Sequence, residues 1–422
     1  MIPAVSHRIA ARLPFFYGYV MVPVAMLVQI ATSPGQTFAI SAFTPYLRDG
    51  LQLSNSQLSL AYMLGTLFAA LPLTFIGPLS DRFGLRGITL AAIAALSCAC
   101  YFASTVWNFS TLLAAFFLLR FLGQGSLSLL SGNAISMWFR TRIGRVSAAM
   151  SIGTAIAFAW IPAWINESIA AIGWRTTYQA IAVIVGVTML PIVALFFCNR
   201  PEDVGQDVDG QASGTADQNP STEHSLTMRQ ATRCRAFYIL AASNTLWAMA
   251  GTGIVFYLFT LCEDLGFRSS VPANLFKTFG LTMLAAQLIG GVLADFWPLN
   301  RMLTVGMLML SVGLGLICWG ESELALHGFA AFFGGGQGLL LAVGNVIWVR
   351  YFGRAHLGTI RGAVWCCTVA GSGFGPLLMG ITRDRTGRFD VALFALFGLM
   401  TLIAIFAWWA QPPEIDGRAP SA

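Results

Sequence analysis

Arg120 is the residue in this sequence whose type and position most clearly suggest chemistry. It stands in the run FSTLLAAFFLLRFLGQG, where apolar side chains flank it on both sides. An arginine is always charged and presents a planar fork of donors that matches a carboxylate. Arg120 could therefore bind the carboxylate of a small organic anion. It could also brace its own helix against neighbouring carbonyls and Gln124, and the sequence leaves both roles open.

Two further ionisable residues fall within long apolar runs. Lys277 lies about two turns into its run, where a lysine more often extends to the membrane surface than meets a substrate. Glu167 is near the end of its run, a position more typical of a solvated helix end than of a proton carrier. The eight cysteines show no metal-ligand spacing and only four histidines occur, so no metal site, cofactor or enzymatic activity is predicted.

The composition places these residues in a membrane. Of 422 residues, 56% are hydrophobic and 10% are charged, against about 25% charged in a typical soluble domain. Apolar windows of about 18 or more residues recur along the chain, and each predicts a membrane-spanning helix. The sequence therefore predicts no sizeable soluble core, and it lacks the short alternating strands of an outer-membrane barrel.

Twelve transmembrane helices are predicted, in an all-α fold of two pseudo-symmetric six-helix bundles. Their approximate bounds are 17–46, 55–79, 87–106, 110–136, 145–168, 175–198, 236–262, 272–295, 301–320, 324–349, 358–381 and 389–410. Residues 199–235 are polar and rich in Asp, Gln, Ser and Gly, which is typical of a flexible linker. The sequence thus predicts an N-terminal bundle at 1–198, a cytoplasmic linker at 199–235 and a C-terminal bundle at 236–422.

The distribution of arginine predicts the orientation. Of the 24 basic residues only Lys277 is a lysine, and the arginines are spread over short loops, which is typical of membrane topology and not of nucleic-acid binding. With the N-terminus inside, most loop arginines fall on the cytoplasmic side, and the main exceptions are Arg383, Arg385 and Arg388. Both termini are therefore predicted in the cytoplasm, in a multi-pass inner-membrane protein whose first span is an uncleaved anchor.

The two halves of the sequence repeat each other. IGPLSDRFGLR at 76–86 matches GGVLADFWPLNR at 290–301, and GQG occurs at 123–125 and again at 336–338. FTPYLRDGL at 43–51 matches FTLCEDLGF at 259–267 at nearly the same spacing. Two parallel copies joined by a linker are the architecture of alternating-access carriers, whose solute site lies near the middle of the membrane.

Neutral polar residues are the remaining candidates for a binding site. The segment 33–36, SPGQ, predicts a break in the first helix, and breaks at membrane depth usually line cavities. Besides Arg120, the predicted substrate-binding residues are Gln36, Asn133, Asn244, Tyr257, Gln287, Gln337 and Asn345, with Thr37 and Trp247 as neighbours. Each could instead serve interhelical hydrogen bonding. As a set they predict a polar, weakly charged pocket.

Three motifs resemble the major facilitator superfamily, and the resemblance extends over nearly all of the chain. GPLSDRFGLR at 77–86 is similar to G-x-L-x-D-R-x-G-x-R, between the second and third helices. RFLGQG at 120–125 resembles the family's R-x-x-Q-G in helix 4, and GWR at 173–175 resembles its opening of helix 6. The resemblance implies the twelve-helix major facilitator fold, rocker-switch transport and a cavity lined mainly by helices 1, 4, 7 and 10.

The first of these motifs also implies a gate. Asp81, with Arg82 and Arg86, is expected to bond helix ends and arginines of the adjacent loop when the cytoplasmic side is shut. Asp295 occupies the matching position in the second copy, where Phe296 stands in place of the arginine. A weaker latch is expected there.

A narrower resemblance is to the monocarboxylate and oxalate–formate branch. It rests on FYGY at 16–19, NRPEDVG at 199–205, RYFGRAHLGTIRG at 350–362 and GSGFGPLLMG at 371–380. Many members of that branch bind the substrate carboxylate through an arginine in helix 8, with an acidic residue one turn earlier. The matching positions here are Gln287 and Met283, so both charges are missing.

These features predict a monomeric secondary transporter of a small organic solute in the lipid bilayer, with an organic anion such as a monocarboxylate as the first hypothesis. A carrier or exporter of a neutral or amphipathic solute is an alternative, which Gln287 and Met283 favour. A non-transporting membrane sensor is another, and the intact motif at 77–86 speaks against it. No carboxylate is found at mid-depth, so uniport, exchange and uptake of a protonated acid stay open.

Overall fold

The described part of the chain consists of helices joined by turns. The structure, a computed structural model, describes residues 15–139, 142–208, 226–320, 322–353 and 356–413, and the side chains at 143, 144, 345 and 358 lie outside it. In hydrocarbon the backbone must satisfy its own N–H and C=O groups, and a helix does so within a single segment. The all-α fold predicted from the apolar runs is confirmed.

The helix bounds follow the apolar runs and their Pro and Gly punctuation. Residues 15–208 contain α1 Gly18–Ala31, α2 Thr37–Gly50, α3 Asn55–Phe83, α4 Leu85–Ser104, α5 Phe109–Leu119, α6 Ser128–Trp138, α7 Ile143–Ile172, α8 Trp174–Ile184 and α9 Leu190–Phe196. Residues 226–413 contain α10 Met228–Ala231, α11 Arg235–Asp264, α12 Ser270–Leu293, α13 Leu299–Trp319, α14 Glu323–Phe352, α15 Leu357–Thr386 and α16 Asp390–Ala407.

Within the described residues, twelve helical stretches are long and apolar enough to span a membrane. Each overlaps one predicted span, so the predicted number of spans is confirmed. The second runs to Phe83 and the eleventh to Thr386, a turn beyond their predicted ends at 79 and 381. Helical hydrogen bonding continues past the apolar window into polar residues, and hydropathy alone does not detect that continuation.

The chain folds into two compact units. The first comprises Met1–Leu53 and Leu60–Asp217, and the second comprises Ser54–Ser59 and Gln218–Ala422. In the first unit, α1 packs against α6 and α7, and α4 packs against α8. In the second, α11 packs against α15, and α14 packs against both α12 and α13.

The predicted break in the first helix is confirmed. α1 ends at Ala31, a 3₁₀ turn covers Ser33–Gly35, and Gln36 is extended before α2 begins at Thr37. Pro34 contributes to the break because it has no backbone N–H to donate. The first span therefore consists of two half-helices that meet within the membrane-spanning stretch Gly18–Gly50.

The described ends of the predicted linker form short helical turns. A 3₁₀ turn at Pro201–Val204 is closed by Gly205 in the left-handed region, with φ 73°. α10 follows a reciprocal cap in which the side chains of Thr227 and Gln230 each accept a hydrogen bond from the other's backbone N–H. The flexibility of the linker stays a prediction.

Candidate functional site

Arg120 lies where the fourth span changes its helical geometry. α5 ends at Leu119, and Arg120–Leu127 form a π-helical segment before α6 begins. π-helical segments are rare and frequent at functional sites. Gly123 lies in this segment, and a Cβ placed on it would come within 2.9 Å of the carbonyl oxygen of Thr32. The π segment therefore lies directly against the end of α1.

The guanidinium of Arg120 is held by neutral groups, and the residue is 4% exposed. Its Nε donates to Thr66 Oγ1 at 3.1 Å, and its Nη1 donates to the carbonyl oxygen of Gly35 at 3.2 Å and to Thr37 Oγ1 at 3.5 Å. The charge also lies 5.0 Å from the ring centroid of Tyr62, an attractive cation–π distance. Arg120 thus braces the interior of the first unit against neighbouring oxygens.

The charge of Arg120 has no acidic partner in the described part of the chain. Its bonds to Thr66, Gly35 and Thr37 involve Nε and Nη1, and none of the three involves Nη2. Burying an uncompensated charge costs several kcal/mol, and neutral oxygens offset only part of that cost. The site is therefore a positive centre, which favours an anion.

The broken first helix supplies the groups beside this charge. Gln36 is extended, with φ −87° and ψ 146°. Both Ala39 and Ile40 bond through their backbone N–H to the carbonyl oxygen of Gln36. The carbonyl of Gly35 is thereby left outside the helical ladder, and it accepts from Arg120 instead.

Two buried acceptors on the fourth span, Gln124 Oε1 and Ser128 Oγ, have no hydrogen-bond partner among the described residues. Buried polar atoms are nearly always paired, and exceptions often mark a water or a ligand. The predicted bracing of Arg120 by Gln124 is wrong, since no hydrogen bond joins them. The π segment, with its i→i+5 bonding, shifts the usual i, i+4 alignment of these side chains.

Sequence analysis missed Tyr62 and Thr66. They lie one turn apart on α3, and Tyr62 OH is 2.7 Å from Thr37 Oγ1. The i, i+4 spacing of two hydroxyl side chains in the run SLAYMLGTLFAA was the available signal. Their relation to Arg120 depends on helix packing, which hydropathy does not reveal.

Gln36 and Asn133, the other predicted binding residues of the first unit, lie at different distances from Arg120. Gln36 is half-buried, and its Nε2 donates to Thr32 Oγ1 at 3.1 Å, so it secures the break beside Arg120. Asn133 is half-buried on α6 and makes no hydrogen bond within the described part of the chain. It lies about 20 Å along the span from Arg120 at 1.5 Å per residue. The structure brings Gln36 and Thr37 to the arginine and leaves Asn133 apart.

Asn244 lines a small cavity in the second unit, of about 10 Å³, with Ser243 and Gly344. Such a space holds about one water molecule. Asn244 Nδ2 donates to the carbonyl oxygen of Leu240 at 2.9 Å. Trp247, one turn further on, has a buried Nε1 without a partner among the described residues. This face of α11 carries polar groups beside a cavity the size of one water molecule, and the role of Asn244 in binding stays a prediction.

Tyr257, a predicted binding residue, is fully buried in this structure. Its hydroxyl donates to the carbonyl oxygen of Asn55 at 2.7 Å, and its ring packs 5.1 Å from that of Phe389. Asn55 belongs to the second unit, as Tyr257 does. Tyr257 therefore packs within the second unit in this conformation, and its role in binding stays a prediction.

Gln287 and Gln337 lie where α12 and α14 pack closely. Gln337 Nε2 donates to Met283 Sδ at 3.4 Å. A Cβ on Gly338 would come within 2.9 Å of the backbone nitrogen of Gln287. Of the two positions at which carriers of the monocarboxylate branch have charges, Met283 thus lies beside Gln337 and Gln287 lies beside Gly338. The side chain of Asn345 lies outside the described residues.

The predicted gate residues of the first copy lie at the turn between α3 and α4. Gly84 has φ 83°, a conformation that favours glycine. The backbone N–H of Arg86 donates to Asn199 Oδ1 at 2.8 Å, and its side chain donates to the carbonyl oxygen of Ala194. Arg86 therefore anchors this turn to the end of the sixth span.

Asp81 and Arg82 are both exposed on the same turn. Asp81 makes no ion pair or hydrogen bond with any described residue, and Arg82 lies 5.3 Å from the ring centroid of Phe83. The predicted bonding of Asp81 to nearby arginines is not made in this conformation, and its gating role stays a prediction.

Asp295 in the second copy has an arginine partner from another helix. Arg350, near the end of α14, approaches Asp295 Oδ1 at 3.5 Å and donates to the carbonyl oxygen of Ala294 at 2.9 Å. The side chain of Asp295 is 70% exposed, so the ion pair contributes little stability. The expectation of a weaker latch stays a prediction. Phe296 stands where the first copy has Arg82, and in this structure Arg350 of α14 provides an arginine for Asp295 instead.

A larger cavity of about 320 Å³ lies in the first unit beside the helix break, and its apolar lining is not predicted by the sequence. Its lining is apolar except for Ser33 and Thr188, and it comprises Leu27, Ile30, Ala31, Ser33, Pro34, Ile161, Trp164, Ile165, Ile181, Ile184, Val185, Thr188 and Met189. It adjoins both the helix break and the π-helical segment Val185–Met189. Such a space suits a hydrocarbon group.

Comparison with known proteins identifies the family to which this chain is similar. The Major Facilitator Superfamily pattern matches residues 25–276 and 263–422. An uncharacterized MFS-type transporter of Escherichia coli (strain K12), YhjX, is 23% identical over 291 residues, which cover 67% of this chain and 68% of that protein.

Solved structures of a bacterial homolog of the human lysosomal transporter Spinster have a similar fold. The inward-facing, unoccupied form gives a TM-score of 0.73 at 12% identity, covering 93% of this chain and 97% of that one. The inward-facing, occupied form gives 0.70 at 14% identity, covering 96% and 99%. At these identities the likeness shows a shared fold.

Proposed function

This chain belongs to the major facilitator superfamily, whose members are transporters, and we propose that it carries a small organic anion, such as a monocarboxylate, by alternating access. The observation that carries the proposal is the buried guanidinium of Arg120, which has only neutral partners among the described residues. An anionic solute would supply the missing opposite charge.

Two acceptors further along the fourth span from Arg120 extend the proposal to the rest of the solute. Gln124 Oε1 and Ser128 Oγ are buried and without partners in the described chain, so they suit a hydrogen-bond donor. A solute with a carboxylate and a hydroxyl or amide group would use both features. A long hydrocarbon chain would make less favourable contacts with these polar atoms than with the apolar cavity beside the helix break.

The test compares two arginines that both brace backbone or side-chain oxygens. Arg120→Gln keeps a hydrogen-bonding side chain and removes the charge, and loss of a charged partner in a desolvated site costs roughly 2–5 kcal/mol. Carboxylate binding should therefore fall more than tenfold. The control is Arg175→Gln, because Arg175 bonds the carbonyl oxygens of Ser104 and Val106 at 2.8 and 2.9 Å, outside the site.

Ligand affinity and melting temperature are measured on the same purified variants. Arg175→Gln should lower the melting temperature and leave affinity unchanged. If Arg120→Gln behaves in the same way, Arg120 is only a brace and the anion proposal loses its support.

A carrier of a neutral or amphipathic solute is the second candidate, favoured by the apolar cavity beside the helix break. Ile165→Trp would fill that cavity, since Ile165 is 1% exposed and lines it. If binding of an amphipathic solute falls in this variant and not in Arg120→Gln, the second candidate replaces the first.

We also propose that the protein lies in the inner membrane with both termini in the cytoplasm, on the basis of the arginine distribution. Reporter fusions near residue 210 and at the C-terminus should both report the cytoplasm. A periplasmic signal from either fusion contradicts this orientation.

A further inference from the structure

The first turn of α2 carries two backbone donors without acceptors. Ala39 and Ile40 bond to the carbonyl oxygen of Gln36, but the backbone N–H groups of Thr37 and Phe38 make no hydrogen bond in the described structure. The side chain of Gln36 does not cap them, because its Nε2 donates to Thr32. Phe38 is buried, at 6% exposure. Thr37 is half-buried, and a buried orphan donor such as the N–H of Phe38 is rare in native proteins.

The guanidinium of Arg120 is aimed at this same helix start. Its Nη1 lies 3.5 Å from Thr37 Oγ1 and 3.2 Å from the carbonyl oxygen of Gly35, two residues before Thr37. The residue is 4% exposed and has no acidic partner in the described structure. Two independent features, a helix N-terminus with unused donors and a buried cation without an opposite charge, thus meet at one place.

We propose that the N-terminus of α2 and the guanidinium of Arg120 together hold the carboxylate of the transported solute. One carboxylate oxygen accepts from the backbone N–H groups of Thr37 and Phe38, and the other accepts from Arg120. A helix N-terminus provides both donors and a partial positive charge for an anion. This assignment rests on the proposed function, and it names the carboxylate as the group recognised and the helix break as its binding element.

The arrangement also explains why the first span is broken. A continuous helix would bond the N–H groups of Thr37 and Phe38 to carbonyls one turn earlier, and nothing would remain for a solute. In membrane carriers, irregular backbone at membrane depth is tolerated where it lines a site. The break therefore creates the donors, and Gly35 allows them to approach the fourth span closely.

Thr37→Pro tests the backbone donor directly. Proline lacks the N–H and is well tolerated at the first position of a helix. The preceding Gln36 already has the extended conformation that a following proline requires, with ψ 146°. Thr37→Ala is the matched control, since it also loses the hydroxyl that lies 2.7 Å from Tyr62 OH but keeps the backbone N–H.

Binding of lactate and oxalate is measured on the purified full chain, with lactamide as an uncharged compound of similar shape. We expect Thr37→Pro to bind the better acid about tenfold or more weakly than Thr37→Ala does, with melting temperatures that agree within a few degrees. Equal affinity in the two variants would overturn the proposal. If Arg120→Gln still abolished binding in that case, the proposed function would stand without the helix N-terminus.

Hydrogen exchange on the unmodified protein covers the case in which Thr37→Pro does not fold. The bound acid should slow exchange in the peptide that contains Thr37 and Phe38, and lactamide should not. Unchanged exchange at saturating acid would overturn the proposal. Failure of the unmodified protein to bind or transport any carboxylate would instead contradict the proposed function itself.

Discussion

Gly35 lies so close to Leu119 that a Cβ placed on Gly35 would overlap the carbonyl oxygen of Leu119. Gly35→Ala should therefore push the helix break away from the fourth span and weaken the bond between Arg120 and the Gly35 carbonyl. We expect a lower melting temperature and a loss of solute binding together. Gly132→Ala, on the same span with nothing within 4 Å of its Cβ, is the control and should change neither. Normal binding by Gly35→Ala would show that the close approach is not needed.

Asp384 caps the start of α3 within the second unit. Its Oδ1 accepts from the backbone N–H and Nδ2 of Asn55, and its Oδ2 accepts from the backbone N–H of Ser56 at 2.8 Å. Asp384→Ala removes all these acceptors from a helix N-terminus and should destabilise the protein by about 1 kcal/mol. Thermal melting measures the effect.

Asp384→Asn retains an acceptor and should lower the melting temperature by less than Asp384→Ala does. Asp49→Asn is the control, because the carboxylate of Asp49 is exposed and forms an ion pair with its neighbour Arg48 at 2.8 Å. An exposed pair of this kind contributes little, so the control should have almost no effect. Equal melting temperatures for Asp384→Ala and the unmodified protein would contradict the capping role.

Asp81 and Asp295 occupy equivalent positions in the two sequence repeats but differ in their contacts. Asp81 has no partner among the described residues, whereas Asp295 pairs with Arg350. If Asp81 bonds in another state of the transport cycle, Asp81→Asn should slow transport and leave affinity nearly unchanged, because it alters state populations. Uptake rates and binding constants in the same membranes measure this. A loss of affinity at a normal rate would assign Asp81 a different role, and Asp295→Asn provides the comparison in the second copy.

The sequence predicts the spans, the repeat and the helix break because each depends on local hydropathy or on Pro and Gly. It also singles out Arg120, since a charge in an apolar run stands out without any structure. Tyr62 and Thr66 were not identified because their contact with Arg120 depends on how α3 packs against the fourth span. The partner of Tyr257 was not identified for a similar reason, since the acceptor of its hydroxyl, Asn55, is remote in sequence. The π-helical segments have no signal in hydropathy, because hydropathy reports the polarity of residues and not the hydrogen-bond register of the helix.

The central claim is that a carboxylate is carried and that Arg120 binds it. The most direct measurement is uptake of labelled formate, lactate, oxalate and lactamide into liposomes that contain the purified protein or its Arg120→Gln variant. We predict uptake of at least one of the acids, none of lactamide, and loss of acid uptake in an Arg120→Gln variant that still folds. Uptake of lactamide at the rate of lactate, or acid uptake that survives Arg120→Gln, would contradict the account.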